Sequence, residues 1–207
     1  MGSEAYFKEV AGSWDTMREG FFSEAVRDKA YITAGVKKGE TAADIGCGTG
    51  FLTEGLLQRG LNVMAVDQSN EMLAQMKQKF KDYPSVEYLQ GDAKKLPIDN
   101  GKVDYVMANM FLHHVDNPLD AIKEMVRILK PGGKLIITDL DKHNFEFLRT
   151  EQHDQWLGFD RSDVENWFLE AGLVNVLTDC AGGNCCSASC TCSEKASISI
   201  FIAVGEK

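Results

Sequence analysis

The chain has 207 residues, 44% of them hydrophobic, and this length suits a single domain with a substantial core. Its formal net charge is −9, and its lysines and arginines are scattered, which argues against a nucleic-acid-binding surface. No apolar run is long enough to span a membrane and no signal-peptide core precedes the first strand, so the sequence predicts a cytoplasmic protein that acts on neither membrane nor nucleic acid.

Residues 1–38 precede the first predicted strand and are expected to form a helical cap. Apolar residues recur at helical spacing from Phe21 to Ala34, and Gly35 and Gly39 end that helix. Upstream lies the sequence W-D-T-M-R, which begins at Trp14.

Residues 41–50 read T-A-A-D-I-G-C-G-T-G and predict a strand that runs into a glycine-rich turn and then a helix. Glycines lack a Cβ, so the backbone can turn tightly and a ligand can approach the main-chain N–H groups at the start of the helix. The spacing is D-x-G-x-G-x-G and contains no lysine, unlike the dinucleotide and P-loop signatures. It therefore indicates a nucleotide cradle that is not specialised for phosphate.

Beyond this turn, strands and helices alternate. Further strands are predicted at 62–67, 86–90, 103–108, 134–138, 174–178 and 197–204, and helices at 70–81, 116–130 and 161–171. Such alternation is typical of a parallel sheet covered by helices on both faces. Only a cysteine-rich segment separates the last two strands, so the last strand is predicted to be antiparallel.

The motifs D-I-G-C-G-T-G at 44–50, an acid at the end of the second strand (Asp67), G-D-A at 91–93 and K-P-G-G-K-L-I-I-T-D at 130–139 resemble class I S-adenosylmethionine (SAM)-dependent methyltransferases of the type 11 or UbiE-like kind. The resemblance implies one Rossmann-like α/β domain over 1–207, with a seven-stranded sheet in the order 3-2-1-4-5-7-6. It also implies SAM as cofactor, S-adenosylhomocysteine (SAH) as product and a small-molecule acceptor. The sequence indicates no oligomeric state.

The same resemblance implies roles for individual residues. Asp44 would support the glycine turn, Asp67 would hold the ribose, Asp92 would lie near the adenine and Asn109 would lie near the sulfonium. The full set of expected cofactor-binding residues is Asp44, Gly46, Gly48, Gly50, Asp67, Gln68, Met72, Asp92, Ala93, Asn109 and Met110.

Candidate bases follow the fourth and fifth strands, at the edge where ligands of such sheets bind. They are His113, His114, Asp139, Asp141 and His143, of which His114 and His143 are the predicted catalytic residues. The stretch 139–159 also resembles a subgroup of SAM-dependent methyltransferases, some of them fused to ArsR-type metalloid-responsive regulators.

Five of the six cysteines fall within residues 180–192, where the intervening glycines, serines and alanines predict a flexible loop beside the active-site crevice. Thiolates bind soft metals and trivalent arsenic, so the loop predicts a metal or metalloid site at Cys185, Cys186, Cys190 and Cys192. The acceptor is accordingly expected to be a thiol-bound metalloid such as arsenite. The alternatives are O-, N- or C-methylation of a small organic metabolite, and a non-enzymatic protein that responds to SAM or metal.

Overall fold

The computed structural model describes residues 9–19, 21–189, 191 and 193–207. The strands are β1 (Thr41–Ile45), β2 (Asn62–Asp67), β3 (Val86–Gln90), β4 (Val103–Asn109), β5 (Leu129–Leu140), β6 (Val174–Ala188) and β7 (Lys195–Glu206). The helices described are α1 (Trp14–Glu19), α2 (Glu24–Ala34), α3 (Phe51–Gln58), α4 (Asn70–Lys79), α5 (Pro118–Ile128), α6 (Phe147–Glu151) and α7 (Arg161–Glu170), with a 3-10 turn at Leu112–His114.

All seven strands join one sheet in the order β3-β2-β1-β4-β5-β7-β6, which confirms the predicted order. Strands β1 to β5 pair in parallel, whereas β7 pairs antiparallel to both β5 and β6. The carboxyl ends of β1, β2 and β4 therefore meet at one edge, where a topology of this kind leaves a crevice.

Alternate residues of the central strands enter two separate cores. Ala42 of β1 and Met107 of β4 pack into the core on one face of the sheet, whereas their neighbours Ala43 and Val106 pack into the core on the other. The two-residue period of a strand produces this division. It also explains why these strands are apolar at nearly every position.

Helices α4 and α5 begin at the polar side chains that the sequence offers as caps. The Ser69 hydroxyl accepts a hydrogen bond from the Met72 N–H at 3.2 Å, and the Asn117 side chain accepts one from the Asp120 N–H at 3.4 Å. Pro118, which has no N–H to leave unsatisfied, occupies the first position of α5. Both helices end two residues earlier than predicted.

The predicted loop at 180–192 is wrong for residues 180–188, because β6 continues to Ala188. Cys180, Cys185 and Cys186 pair with residues of β7, so their backbones are held in a long antiparallel ladder. Residues 197–200 of β7 alternate serine with isoleucine and pair with β6 from Asn184 onward, whereas Gly182 and Gly183 fall at a register shift in the ladder. Cys190 and Cys192 lie outside the described residues.

Candidate functional site

A cavity of about 280 Å³ lies beyond the carboxyl ends of β1, β2 and β4. Of the expected cofactor-binding residues, all but Gly50 border it: Asp44, Gly46, Gly48, Asp67, Gln68, Met72, Asp92, Ala93, Asn109 and Met110. Rings and a guanidinium from the N-terminal region and from the segment after β4 are also part of the wall: Trp14, Arg18, Phe22 and Phe111. The sheet edge thus brings together residues that lie almost a hundred positions apart in the chain.

The three glycines of the turn have different surroundings. All have positive φ, at 66°, 52° and 95° for Gly46, Gly48 and Gly50. A Cβ on Gly46 would lie 2.1 Å from the Phe111 ring and one on Gly50 would lie 2.4 Å from the Phe80 ring, so both must lack side chains for these rings to pack. Gly50 faces the Phe80 ring and does not border the cavity. A Cβ on Gly48 would lie 3.6 Å from the indole nitrogen of Trp14, an ordinary contact distance, and Gly48 borders the cavity.

Asp67 joins the end of β2 to the glycine turn. Its Oδ2 accepts a hydrogen bond from the Gly48 N–H at 2.8 Å, and its Oδ1 accepts one from the Ser69 N–H at 2.9 Å. Burial raises the pKa of the Asp67 carboxyl, and the bonds from Ser69 and Gly48 oppose that rise. Each carboxylate oxygen keeps a second lone pair, so the group can still accept hydrogen bonds from two ligand hydroxyls.

Asp44 fixes the same turn from the side of β1. Its Oδ2 accepts hydrogen bonds from the Thr53 N–H at 3.0 Å and from the Thr53 hydroxyl at 2.7 Å, which ties the strand to the first turn of α3. Burial raises the pKa of Asp44 to about 7 against the lowering effect of those two bonds. The Asp44 carboxyl is thus bound to the segment that follows the glycine turn, and its role toward a ligand stays a prediction.

The wall formed by β4 is held by contacts with β5. The Asn109 side-chain oxygen accepts a hydrogen bond from the Thr138 hydroxyl at 2.8 Å, and the Met110 N–H donates to the Thr138 carbonyl at 2.8 Å. Met110 has a φ of 51°, a conformation that a side chain of this size rarely adopts. Backbone strain of this kind collects at ligand sites, where the surrounding contacts maintain it.

Helix α1 lies against the mouth of the glycine turn. The Thr49 hydroxyl donates to Asp15 at 2.5 Å, and Lys79 pairs with the other oxygen of Asp15 at 3.3 Å. The Arg18 guanidinium stacks over the Phe51 ring, with its central carbon 4.3 Å from the ring centre, and its Nε is buried without a hydrogen-bond partner. A buried cation with an unused donor thus borders the cavity.

A buried histidine and carboxylate cluster lies behind the opposite wall. His113 Nδ1 is 2.6 Å from Asp139 Oδ1, and Asp139 Oδ2 accepts a hydrogen bond from the Leu112 N–H at 2.8 Å. Burial alone would lower the pKa of His113, but the charge and hydrogen bond of Asp139 outweigh it and raise that pKa to about 9. Asp139, near the end of β5, and His113, which follows β4, were recognisable from these places in the chain. The third buried partner, Asp154, was not anticipated because it follows a short helix far along the chain.

The two predicted catalytic histidines occupy different places. His114 borders the cavity, and burial together with the neighbouring His113 holds its pKa well below the usual range. His143 does not border the cavity; its Nδ1 accepts a hydrogen bond from the Phe145 N–H at 3.2 Å, and burial is the main cause that lowers its pKa to about 4. Asp141, another candidate base, forms two hydrogen bonds with Arg161 and is structural.

The described cysteines of the β6 and β7 hairpin do not converge on the cavity. Cys185 packs into the core below α2, and burial raises the pKa of its thiol to about 12. Cys186 is exposed, and as the next residue of the strand it faces the other side of the sheet. Neither they nor Cys180 border the cavity, so the prediction that the cysteines flank it is wrong for these three. Cys47 does border it as a buried thiol.

The fold and this site together define an α/β protein with a cavity at the carboxyl edge of a seven-stranded sheet. Residues 43–137 match the sequence profile of the family described as "Methyltransferase domain". The chain is 31% identical over 149 residues to a demethylmenaquinone methyltransferase from Renibacterium salmoninarum, covering 70% of this chain and 62% of the relative. It is 36% identical over 113 residues to the enzyme of that name from Bacillus licheniformis, covering 53% of this chain and 49% of the relative. The chain thus spans less than two thirds of these relatives.

Solved structures agree in fold. A SAM-dependent methyltransferase from Aquifex aeolicus superposes with a TM-score of 0.69 at 21% identity, covering 98% of this chain and 97% of that one. The methyltransferase partner of the Trm112 activator in a complex from Haloferax volcanii gives a TM-score of 0.77 at 21% identity, covering 97% and 96%. Residues 43–137 therefore resemble a methyltransferase domain, and the whole chain has the fold of SAM-dependent methyltransferases. Among the described residues, no helix is long and apolar enough to cross a membrane.

Proposed function

We propose that this chain binds SAM in the cavity at the carboxyl edge and transfers its methyl group to a small acceptor. The observation that carries the proposal is the hydrogen bond from the Gly48 N–H to Asp67, which holds the glycine turn against the cavity and fixes a carboxylate there. A nucleoside ribose offers two hydroxyl donors to such a carboxylate. The absence of a lysine in the turn fits a ligand without phosphates.

Residue roles follow from position along the wall. Gly46 and Gly48 would face the methionine and ribose portion, and Gly50 and Asp44 would support that turn from behind. The remaining assignments place Asp67 and Gln68 at the ribose, Met72, Asp92 and Ala93 at the adenine, and Asn109 and Met110 at the sulfonium.

Arg18 supports the fit of SAM to the cavity. Its buried Nε has no hydrogen-bond partner, and the guanidinium is fixed by stacking on Phe51. The methionine part of SAM carries a carboxylate, which is the group that a guanidinium binds best. The cavity therefore offers a carboxylate for the hydroxyls of the ligand and a cation for its acid.

SAM supplies an electrophilic methyl group on a sulfonium, and the positive charge disperses as that group is transferred. The task of the chain is then to align donor and acceptor and to exclude water. Trp14, Phe22 and Phe111 enclose the cavity with aromatic rings, and Asn109 and Met110 fix the end of β4 beside it. An imidazole on the wall, His114, is placed to take a proton from an oxygen or nitrogen acceptor.

These contacts favour a small organic metabolite over a thiol-bound metalloid as the acceptor. His114 borders the cavity, whereas the thiols of Cys185 and Cys186 lie away from it and face opposite sides of the sheet. Three thiolates would have to converge to hold trivalent arsenic. Arsenite is therefore tested as one of several acceptors, but it is not the acceptor that we propose.

The test measures SAH binding by calorimetry and turnover with methyl-labelled SAM. In the Asp67→Asn variant we expect SAH affinity to fall roughly tenfold to a hundredfold, because a charge-assisted hydrogen bond contributes about 1.5–3 kcal/mol. The matched control is Asp179→Asn, which removes an exposed acid paired with Lys29 and should bind as the original protein does.

Turnover is assayed with a demethylmenaquinone analogue, small phenols and amines, and arsenite. Methylation of an organic acceptor would support the proposal in full. Methylation of arsenite alone would show that the acceptor is a metalloid and not an organic metabolite. SAH binding without turnover of any acceptor would favour a SAM-responsive protein that is not an enzyme. Undetectable SAH binding would refute the site itself.

A further inference from the structure

Three potential metal ligands meet in the buried cluster behind His114. His113, His114 and Asp154 each offer one ligand atom, and these atoms all lie within 4.8 Å of one another. Asp154 Oδ1 is 3.8 Å from His113 Nε2 and 3.9 Å from His114 Nδ1. Ligands about 2.1 Å from one cation lie roughly 3–4.2 Å apart, so only a small inward movement would close the site.

Asp154 supplies an independent sign that a ligand belongs here. Its side chain is 3% exposed, and its Oδ1, the atom nearest both histidines, has no hydrogen-bond partner. The nearby Arg149 acts on Asp154 through its charge and donates no hydrogen bond to this oxygen, because its guanidinium pairs with Glu146 and donates to the Gln155 carbonyl. A buried carboxylate oxygen without a donor is costly, and a bound cation would remove that cost.

The surroundings match those of a metal-binding histidine. A histidine that binds a metal through one ring nitrogen normally donates from the other to a carboxylate or carbonyl, which orients the ring. His113 is 2.6 Å from Asp139 through Nδ1, which leaves Nε2 facing Asp154. Asp139 is itself held by the N–H groups of Leu112 and Leu140. The second partners of a metal site are thus already in place.

Charge favours a divalent ion at this position. Asp139 and Asp154 are two carboxylates whose side chains are 0% and 3% exposed, and His113 is the ionisable group that lies between them. Two imidazole nitrogens and one carboxylate oxygen form a donor set that suits first-row transition metals. Soft thiolates are not among these three ligands.

We propose that His113, His114 and Asp154 form a binding site for a divalent transition-metal cation on the wall of the cavity. His114 borders the cavity and provides the route by which the cation and a ligand on it would be reached. Three ligands from the chain leave further coordination positions open. Cation binding does not depend on the function proposed above, since it is measured without SAM or acceptor.

One consequence does rest on the proposed function. A cation at this position would bind an acceptor oxygen and ease the loss of its proton, in place of direct proton transfer to His114. The acceptor class would then be a hydroxyl-bearing metabolite. This consequence and the proposed function fail separately, because SAH binding is assayed without metal.

Cobalt(II) titration of chelator-treated protein is the test, since its visible spectrum reports the ligand type. We expect one equivalent to bind with the weak bands of nitrogen and oxygen ligation and without the strong near-ultraviolet thiolate band. Asp154→Asn and His114→Gln should each weaken binding at least tenfold. Glu146→Gln removes an exposed acid from the same region and should bind cobalt as the original protein does.

A second form of the protein, in which serine replaces Cys180, Cys186, Cys190 and Cys192, serves as the serine background. It should show the same cobalt spectrum and the same cobalt stoichiometry. Thermal unfolding without metal checks that each variant is folded; should Asp154→Asn fail to fold, His114→Gln decides. The proposal is overturned if the original protein binds no cobalt, or if binding survives in the Asp154 and His114 variants. It is equally overturned if the thiolate band dominates and the serine background abolishes binding.

Discussion

Replacing Gly46 by alanine tests whether the glycine turn is dictated by packing as well as by backbone conformation. Gly46 has a φ of 66°, and left-handed backbone costs a residue with a Cβ roughly 1–2 kcal/mol. The new methyl would also lie 2.1 Å from the Phe111 ring, and overpacking of this kind typically costs about 1–3 kcal/mol. Together these terms predict a loss of about 2–5 kcal/mol in the free energy of unfolding.

Gly35→Ala is the matched control for this experiment. Gly35 also has a φ of 66°, but a Cβ there would have no atom within 4 Å, so this variant loses only the conformational term. Urea denaturation of both variants should show Gly46→Ala less stable than Gly35→Ala by about 1–3 kcal/mol. In a chain of this length the excess equals roughly 2–12 °C in Tm. Equal losses in the two variants would refute the argument that Phe111 occupies the space above Gly46.

Three further variants probe other parts of the site. Arg18→Met keeps the part of the side chain that stacks on Phe51 but removes the charge, so the affinity for SAH should fall roughly tenfold or more. The affinity for adenosine, which lacks a carboxylate, should stay unchanged. Equal losses for both ligands would contradict the role of Arg18. Burial raises the pKa of Asp44 to about 7, so the folded protein binds a proton at Asp44 more tightly than the unfolded chain does. The contribution of Asp44 to the free energy of unfolding should therefore decline as the pH rises from about 4 to about 7. Urea unfolding of the original protein and Asp44→Asn across that range checks this, and a pH-independent difference would contradict it. Iodoacetamide should modify Cys186 and spare Cys185, whose buried thiol has a pKa of about 12, as peptide mass mapping would show; equal labelling would contradict the packing.

The central half of the fold could be predicted because its sequence signals are local and agree with one another. Strands β1 to β3 have the predicted bounds, since each is a short segment that ends at a glycine or a polar residue. Their order in the sheet came from family resemblance and not from pattern. The site residues on these strands reach the cavity because parallel strands all end at the same edge.

The cluster around Asp154 could not be predicted in the same way, since it depends on contacts that no local pattern encodes. His113 follows β4 and Asp139 lies near the end of the neighbouring strand β5, so the topology brings them to one edge. Asp154 lies at that edge because α6 and the segment after it fold back over it. The Gln155 and Trp156 N–H groups hold this segment in place by donating hydrogen bonds to the His113 carbonyl. Helix α6 has five residues, too few for a periodic pattern to reveal.

The cysteine-rich segment shows how pairing across strands can override composition. Glycine, serine and alanine between the thiols favour a loop when the segment is read alone, because none of them packs well on a pleated surface. Yet β7 pairs with residues 184–188 as an antiparallel partner, which satisfies backbone groups along this segment and sends alternate side chains to opposite faces. Cys185 then becomes a small core residue beside Ala181 and Ala196, while Cys186 stays exposed. The density of cysteines in a sequence therefore does not by itself place their sulfur atoms together, because a strand sends neighbouring thiols to opposite faces.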